Sequence, residues 1–103
     1  MNSRKTMIAL TAFAALVVSA QASAFDGSQY EKEATVSIEQ ARALAIKAYP
    51  GTIVEEELEH KLGGSGLRYS FDIRANHVTH EVAVDAKTGN ILQNSRESAN
   101  DND

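Results

Sequence analysis

Leu67-Arg68-Tyr69-Ser70-Phe71-Asp72-Ile73-Arg74 alternates strictly between apolar and polar residues. A period of two is the signature of a strand with one buried face, because successive side chains leave a strand on opposite sides. Leu67, Tyr69, Phe71 and Ile73 then form an apolar face, and Arg68, Ser70, Asp72 and Arg74 a polar one. Gly63-Gly64-Ser65-Gly66 precedes this segment and reads as a flexible turn. Upstream of it, Thr52 to Leu62 reads as a first strand. Val54, Leu58 and Leu62 share a face there with Glu56 and His60, and Ile53, Glu55, Glu57, Glu59 and Lys61 lie opposite.

Downstream the alternation resumes. Ala75-Asn76 is a candidate two-residue turn, and His77 to Asp85 a third strand with Val78, His80, Val82 and Val84 on the inner face. Asp85-Ala86-Lys87-Thr88-Gly89-Asn90 is a turn. Asp85 is placed to accept backbone N–H groups ahead of it, and Gly89 supplies the left-handed residue that closes such a hairpin. Ile91 to Asn94 is a short fourth strand. Pairing Leu62 with Leu67, Leu58 with Phe71, Ile73 with Val78 and Phe71 with His80 brings apolar residues together on one face. A one-residue slip would turn them to solvent.

One helix precedes the strands. Ser37 and Gln40 form a capping box, and Glu39 sits in the first turn, where the helix dipole favours an anion. Ile38, Ala41, Leu44, Ala45 and Ala48 recur at spacings of three and four and form one apolar stripe. Pro50-Gly51 ends the helix. The expected fold is therefore α+β: an N-terminal helix packed on a three- to four-stranded antiparallel sheet in two layers.

The ends set the compartment. Arg4 and Lys5, an apolar run from Met7 to Ala20, and Ala22-Ser23-Ala24 have the three-part form of an export signal, with cleavage between Ala24 and Phe25. The apolar run is shorter than the roughly 20 residues of a spanning helix, so no membrane insertion is expected after cleavage. The expected organisation is a cleaved signal over 1–24, a lead-in segment over 25–35, the domain over 36–94 and a disordered polar tail over 95–103. Periplasmic localisation follows, or secretion. Loss of Arg4 and Lys5 takes the formal net charge of −4 two units further negative. A field of that sign repels nucleic acid and tolerates basic partners or cations. There is no cysteine, hence no disulfide staple.

The capped helix opened by Ser37-Ile38-Glu39-Gln40-Ala41 leads to the Tyr49-Pro50-Gly51 exit. Next come the Leu67-Arg68-Tyr69-Ser70-Phe71 strand and Val82-Ala83-Val84-Asp85-Ala86-Lys87-Thr88-Gly89-Asn90-Ile91-Leu92. This ordered set resembles a PepSY domain over Val36 to about Gln93. The family is mostly extracytoplasmic. It occurs in propeptides of thermolysin-type secreted metallopeptidases and as small standalone proteins proposed to regulate peptidases. The resemblance implies a regulatory role of that kind and transfers no catalytic residue.

No catalytic set stands out. His77 and His80 have H-x-x-H spacing, but residues three apart on a strand point to opposite faces. His60 and His80 share the inner face two strands apart, about 10 Å, too far for one ion with metal–nitrogen bonds of about 2.0–2.1 Å. Each is expected at the rim of the core, packed on Tyr69 or Phe71. Lys87 stands where a calcium loop wants an oxygen, and Ser65 lacks the second glycine of a nucleophile elbow. No metal or cofactor is expected. The reading is a non-enzymatic periplasmic binding or regulatory module, monomeric or weakly self-associating, that modulates a peptidase or another extracytoplasmic protein. The alternative is a small-ligand or cation sensor. Two surfaces are candidates: the edge Ile91, Leu92, Gln93, Asn94, open to strand addition, and the acidic face of Glu55, Glu57 and Glu59, which also guards the opposite edge.

Overall fold

The computed structural model describes residues 24–97. Residues 1–23 of the expected signal segment and the last six residues of the expected tail lie outside that range. Helix α1 spans Ile38–Ala48, and four strands follow: β1 Thr52–His60, β2 Leu67–Ala75, β3 Val78–Asp85 and β4 Ile91–Arg96. They form one antiparallel sheet in the order β1-β2-β3-β4, with α1 packed on one face. The expected two-layer α+β arrangement is the observed one.

The helix starts as its sequence dictates. Ser37 Oγ accepts from Gln40 N–H at 3.1 Å, and Gln40 Oε1 accepts from Ser37 N–H at 2.9 Å. The stripe Ile38, Ala41 and Ala45 is buried, with Leu44 and Ala48 half-buried beside it. Small alanines let the helix axis approach the sheet closely. Beneath them lie Leu58, Leu67, Tyr69, Phe71, Ile73, Val82 and Val84, each at most 2% exposed. The Tyr69 hydroxyl crosses the core to donate to the Val36 carbonyl at 2.6 Å, so its one polar atom is satisfied at the helix entrance.

The strands pair two residues away from the expected register on both sides of β2. Leu58 faces Tyr69 and His60 faces Leu67, while Phe71 lies between Glu56 and Val82, and Ile73 faces His80. A shift of two keeps every side chain on its face, which is why the apolar pattern could not discriminate the two registers. The turns decide. The β2–β3 hairpin turns at Asn76-His77, both with positive φ of 50° and 66°, and not at Ala75-Asn76. The β1–β2 loop is longer than its glycine cluster, and Leu62, expected in β1, is 94% exposed. β1 also carries a bulge between Ile53 and Glu55. The extra residue turns Val54 outward, 53% exposed, and puts Ile53 against the core in its place.

Residues 25–35, expected as a lead-in segment outside the domain, are part of it. Phe25 packs on the core, its ring 6.4 Å from Tyr69. Asp26 makes a parallel bridge with Glu57, its carbonyl accepting from Leu58 N–H at 2.8 Å. A 3-10 helix over Ser28–Glu33 follows, carrying Tyr30 onto the core. This strap lies along the middle of the β1 edge. Gly27 turns it with φ of 87°, and a Cβ there would sit 1.8 Å from the Leu58 carbonyl oxygen. Gly27→Ala is therefore expected to detach the strap and cost about 2 kcal/mol, combining a strained φ with a backbone clash. Hydrogen exchange of the Leu58 amide checks this: protection equal to wild type would show that the strap holds without glycine. At the other end the sheet also runs further than expected. Ser95 and Arg96 belong to β4, and Glu97 N–H donates to the Thr79 carbonyl at 2.8 Å.

Candidate functional site

The two edges of the sheet differ. The β1 edge carries the strap at its centre, with Glu55, Glu57 and Glu59 beside it. The β4 edge has nothing paired on its outer side among the described residues. The Glu97–Thr79 bond fixes the alternation of the β3–β4 ladder. In an antiparallel pair every second residue bonds inward. Gln93 and Ser95 therefore bond toward β3, and the N–H groups of Asn94 and Arg96 point out from the edge. Beside this edge runs α1. Leu44 lies near Gly89 at the start of β4, and Asn94 Nδ2 donates to the Ala48 carbonyl at 3.3 Å, level with the helix end. An open cleft of about 370 Å³ lies between them, lined by Val36, Gln40, Ala43, Leu44, Thr88 and Gly89. Ile91, 41% exposed, continues its apolar character onto the edge, while Leu92 turns to the other face beside Gly64 and Asp85.

The sheet face away from α1 carries carboxylates on β1, β2 and β3, with Arg68 and Arg74 also on β2. Glu55, Glu57 and Glu59 on β1 lie opposite Asp72, Ser70 and Arg68 on β2. Glu81 on β3 faces Asp72 on one side and Ser95 on the other, and Glu97 follows β4. Neither ion pair among the described residues lies on this face: Arg42 bridges to Glu56 at 2.8 Å on the helix side, and His60 to Glu33 at 2.8 Å near the strap. Crowding of carboxylates raises two of them. A proton shared with Glu59, followed by partial burial and the charges of Glu59, Asp26 and Glu55, pushes Glu57 up to about 7. Burial, then a hydrogen bond with Glu55 and the charges of Glu97, Glu55 and Glu81, pushes Asp72 up to about 7.

Asp85 behaves in the opposite way. Burial pushes its carboxyl up, but it accepts from Lys87 N–H at 2.8 Å, Ser65 N–H at 2.7 Å, Ser65 Oγ at 2.8 Å and Thr88 N–H at 3.2 Å. These bonds hold it at about 2. The expected Asx turn is thus present, and the β1–β2 loop joins it through Ser65. That contact folds the glycine loop over the acidic side of the sheet, where it covers Arg68; the Arg68 Nη2 donates to the Leu62 carbonyl at 3.1 Å and its Nε has no partner. Ser65 is an anchored loop residue, its hydroxyl committed to a carboxylate.

These shifts set a pH profile. Between roughly 4, the usual carboxyl value, and 7, the fold holds more protons on Glu57 and Asp72 than the unfolded chain does, so stability falls as pH rises through that window. Asp85 contributes stability above its unfolded value of about 4 and loses it as pH falls toward 2. Urea midpoints are therefore expected to peak at about pH 4 and to decline on either side. The double variant Glu57→Gln, Asp72→Asn should flatten the neutral limb alone. A wild-type maximum at pH 7 to 8 would contradict the crowding of this face.

The histidines do not converge. His80 stacks on Tyr49, with ring centroids 3.8 Å apart and an interplanar angle of 2°, and its Nδ1 bonds Asn94 Oδ1 at 2.7 Å. His60 meets Tyr30 edge-on at 4.5 Å. Both pack on aromatic rings, but on Tyr49 and Tyr30 and not on Tyr69 or Phe71. Among the described residues no group of three or more His, Asp or Glu is placed to hold a metal ion, and no helix is long and apolar enough to cross a membrane.

The family model described as "Peptidase propeptide and YPEB domain" matches residues 35–93. The chain belongs to the PepSY family. No curated protein and no solved structure gave a significant match. The match takes in α1, all of β1 to β3 and the start of β4. The strap lies before it, so this PepSY domain closes its β1 edge with residues outside the matched region. PepSY domains are typically non-catalytic, propeptide-like modules of exported proteins, and the family model fits such a module here. Sequence reasoning placed Ile91 to Asn94 on an edge and Glu55, Glu57 and Glu59 on one face, where they are found. It left out Asp26, Asp72, Glu81 and Glu97. The alternation of β2 and β3 was signal enough for Asp72 and Glu81; nothing in the sequence announced the strap.

Proposed function

We propose that this PepSY domain is a non-enzymatic, exported regulatory module that binds another protein of the cell envelope. A peptidase is the partner class to which the family's propeptide members point. The observation that carries the reading is the asymmetry of the sheet: one edge strapped and guarded by carboxylates, the other open beside an apolar cleft. A partner adding a strand to β4 gains main-chain hydrogen bonds from Asn94 and Arg96 without displacing any part of the described fold.

The test is photo-cross-linking in exporting cells from a probe at Gln93 and, as comparison, at Glu57. The protein identified is then purified and titrated. Arg96→Pro removes an outward donor while leaving the inward ladder intact, and residue 95 already has the extended backbone a following proline requires. The expected result is capture from position 93 and at least tenfold weaker binding by the folded variant. Unchanged affinity would overturn strand addition at β4, and loss of binding on neutralising Glu55, Glu57 and Glu59 would move the interface to the acidic face. Stoichiometric, sub-micromolar binding of a divalent cation in calorimetry would instead favour a sensor.

A further inference from the structure

We infer that the β4 edge and its flanking cleft take up an extended segment in which apolar and basic residues alternate. The inference rests on the reading of β4 as the partner edge and adds the chemistry of what binds there. An added strand continues the pleat, so its side chains divide between the two faces of the sheet. Those on the helix side come to lie beside Ile91, Asn94 and Arg96; at the Ile91 end they meet Ala43 and Leu44, where the cleft is apolar and Ile91 is 41% exposed. Those on the far side come to lie beside Gln93, Ser95 and Glu97, at the margin of the acidic face that continues through Glu81 and Asp72 to β1. Apolar residues fit the first row, apolar at its Ile91 end and closed to a cation beside Arg96, and Lys or Arg fit the second. A lysine on the helix side loses its water in the cleft or meets Arg96, and a carboxylate on the far side meets Glu97 and Glu81, so a basic residue is favoured only at every second position.

Charge complementarity also selects against the competing occupants. A second copy pairing β4 with β4 would bring two acidic faces side by side in one continuous sheet, and the chain's formal net charge is already −4. Residues 98–103 carry Asp101 and Asp103 and no basic residue, so they lack the far-side charge that the acidic margin calls for.

The experiment titrates isotope-labelled exported protein with three end-blocked octapeptides: four Lys-Val repeats, four Glu-Val repeats, and a block of four lysines followed by four valines. The Lys-Val repeat is expected to bind at least tenfold tighter than either of the others. Its amide shifts should centre on Ile91 to Arg96 with Leu44 and Gly89, and its affinity should fall as salt rises from 50 to 300 mM. Leu44→Asp should weaken the Lys-Val peptide, and Arg96→Pro should abolish its binding with the remaining amide spectrum unchanged. Equal binding of the block peptide, or shifts centred on Glu55, Glu57 and Glu59, would overturn the inference. Slow hydrogen exchange of the Asn94 and Arg96 amides in the free protein would overturn it too, since a tail or a second copy would then already occupy the edge. If an identified partner binds wild type but not Arg96→Pro while the Lys-Val peptide does not bind, the chemistry inferred here is wrong and β4 remains the partner edge. If Arg96→Pro leaves that partner's affinity unchanged, the edge itself is wrong.

Discussion

Phe71→Ala is expected to lower the thermal midpoint by about 15–30 °C and leave much of the protein unfolded at 37 °C. Phe71 is fully buried at the centre of β2, between Glu56 and Val82 in the register, with its ring stacked 6.4 Å from Tyr69. Truncating a buried phenylalanine costs about 3–5 kcal/mol, the lost transfer energy plus the cavity left behind. A single-helix domain of this size has a total stability toward the low end of 5–15 kcal/mol, and each kcal/mol is worth about 4–8 °C. Phe71→Leu, which keeps most of the volume, should cost under about 1.5 kcal/mol. Calorimetry on both variants decides: equal midpoints for Ala and wild type would remove Phe71 from the core.

Asp85→Ala is expected to cost about 3 kcal/mol, although the residue is polar and sits at the very end of β3. Its carboxylate accepts four bonds from Ser65, Lys87 and Thr88. Hydrogen bonds to a charged group are each worth about 1.5–3 kcal/mol, and the donors left behind are partly buried. Both the β1–β2 loop and the β3–β4 turn lose their anchor together. Ser65→Ala removes one of the four bonds and should cost about 1 kcal/mol. Asp85→Asn should remove the acid limb of the pH profile below about pH 4, because no depressed carboxyl then remains at this corner. A stable Asp85→Ala protein with the acid limb intact would show that another group holds these turns.

How much of this was legible in the sequence follows from what each signal measures. Alternation in Leu67 to Arg74 and the stripe from Ile38 to Ala48 report which side of an element is buried, and both were readable. Neither reports register, because displacing a partner by two residues preserves the pattern. The register is set at Asn76-His77 and at the Ser65–Asp85 contact, where the deciding information is the backbone conformation of two residues and a hydrogen bond over 20 positions. The strap was hidden for a related reason. Phe25 and Tyr30 are only two apolar anchors in a polar segment, with no period to betray them. The acidic face was mostly visible: Glu55, Glu57 and Glu59 alternate on one strand and the same alternation puts Asp72 and Glu81 on the polar side of theirs, but Glu97 joins only because β4 runs on to Arg96.

The strap has a consequence for assembly. A filament built by edge-to-edge growth needs two free edges per subunit, one to join and one to extend. With the middle of β1 occupied by Phe25 to Gly27, each copy has a single valence. Even two copies forced together through β4, against the repulsion of their acidic faces, would exhaust it, and the pair would have no end to which a third could add. The strap thus works as a chain stopper. Gly27→Ala, by releasing it, is expected to turn a molecule that cannot chain into one that polymerises when concentrated and warmed, a change that light scattering would record as growth without plateau.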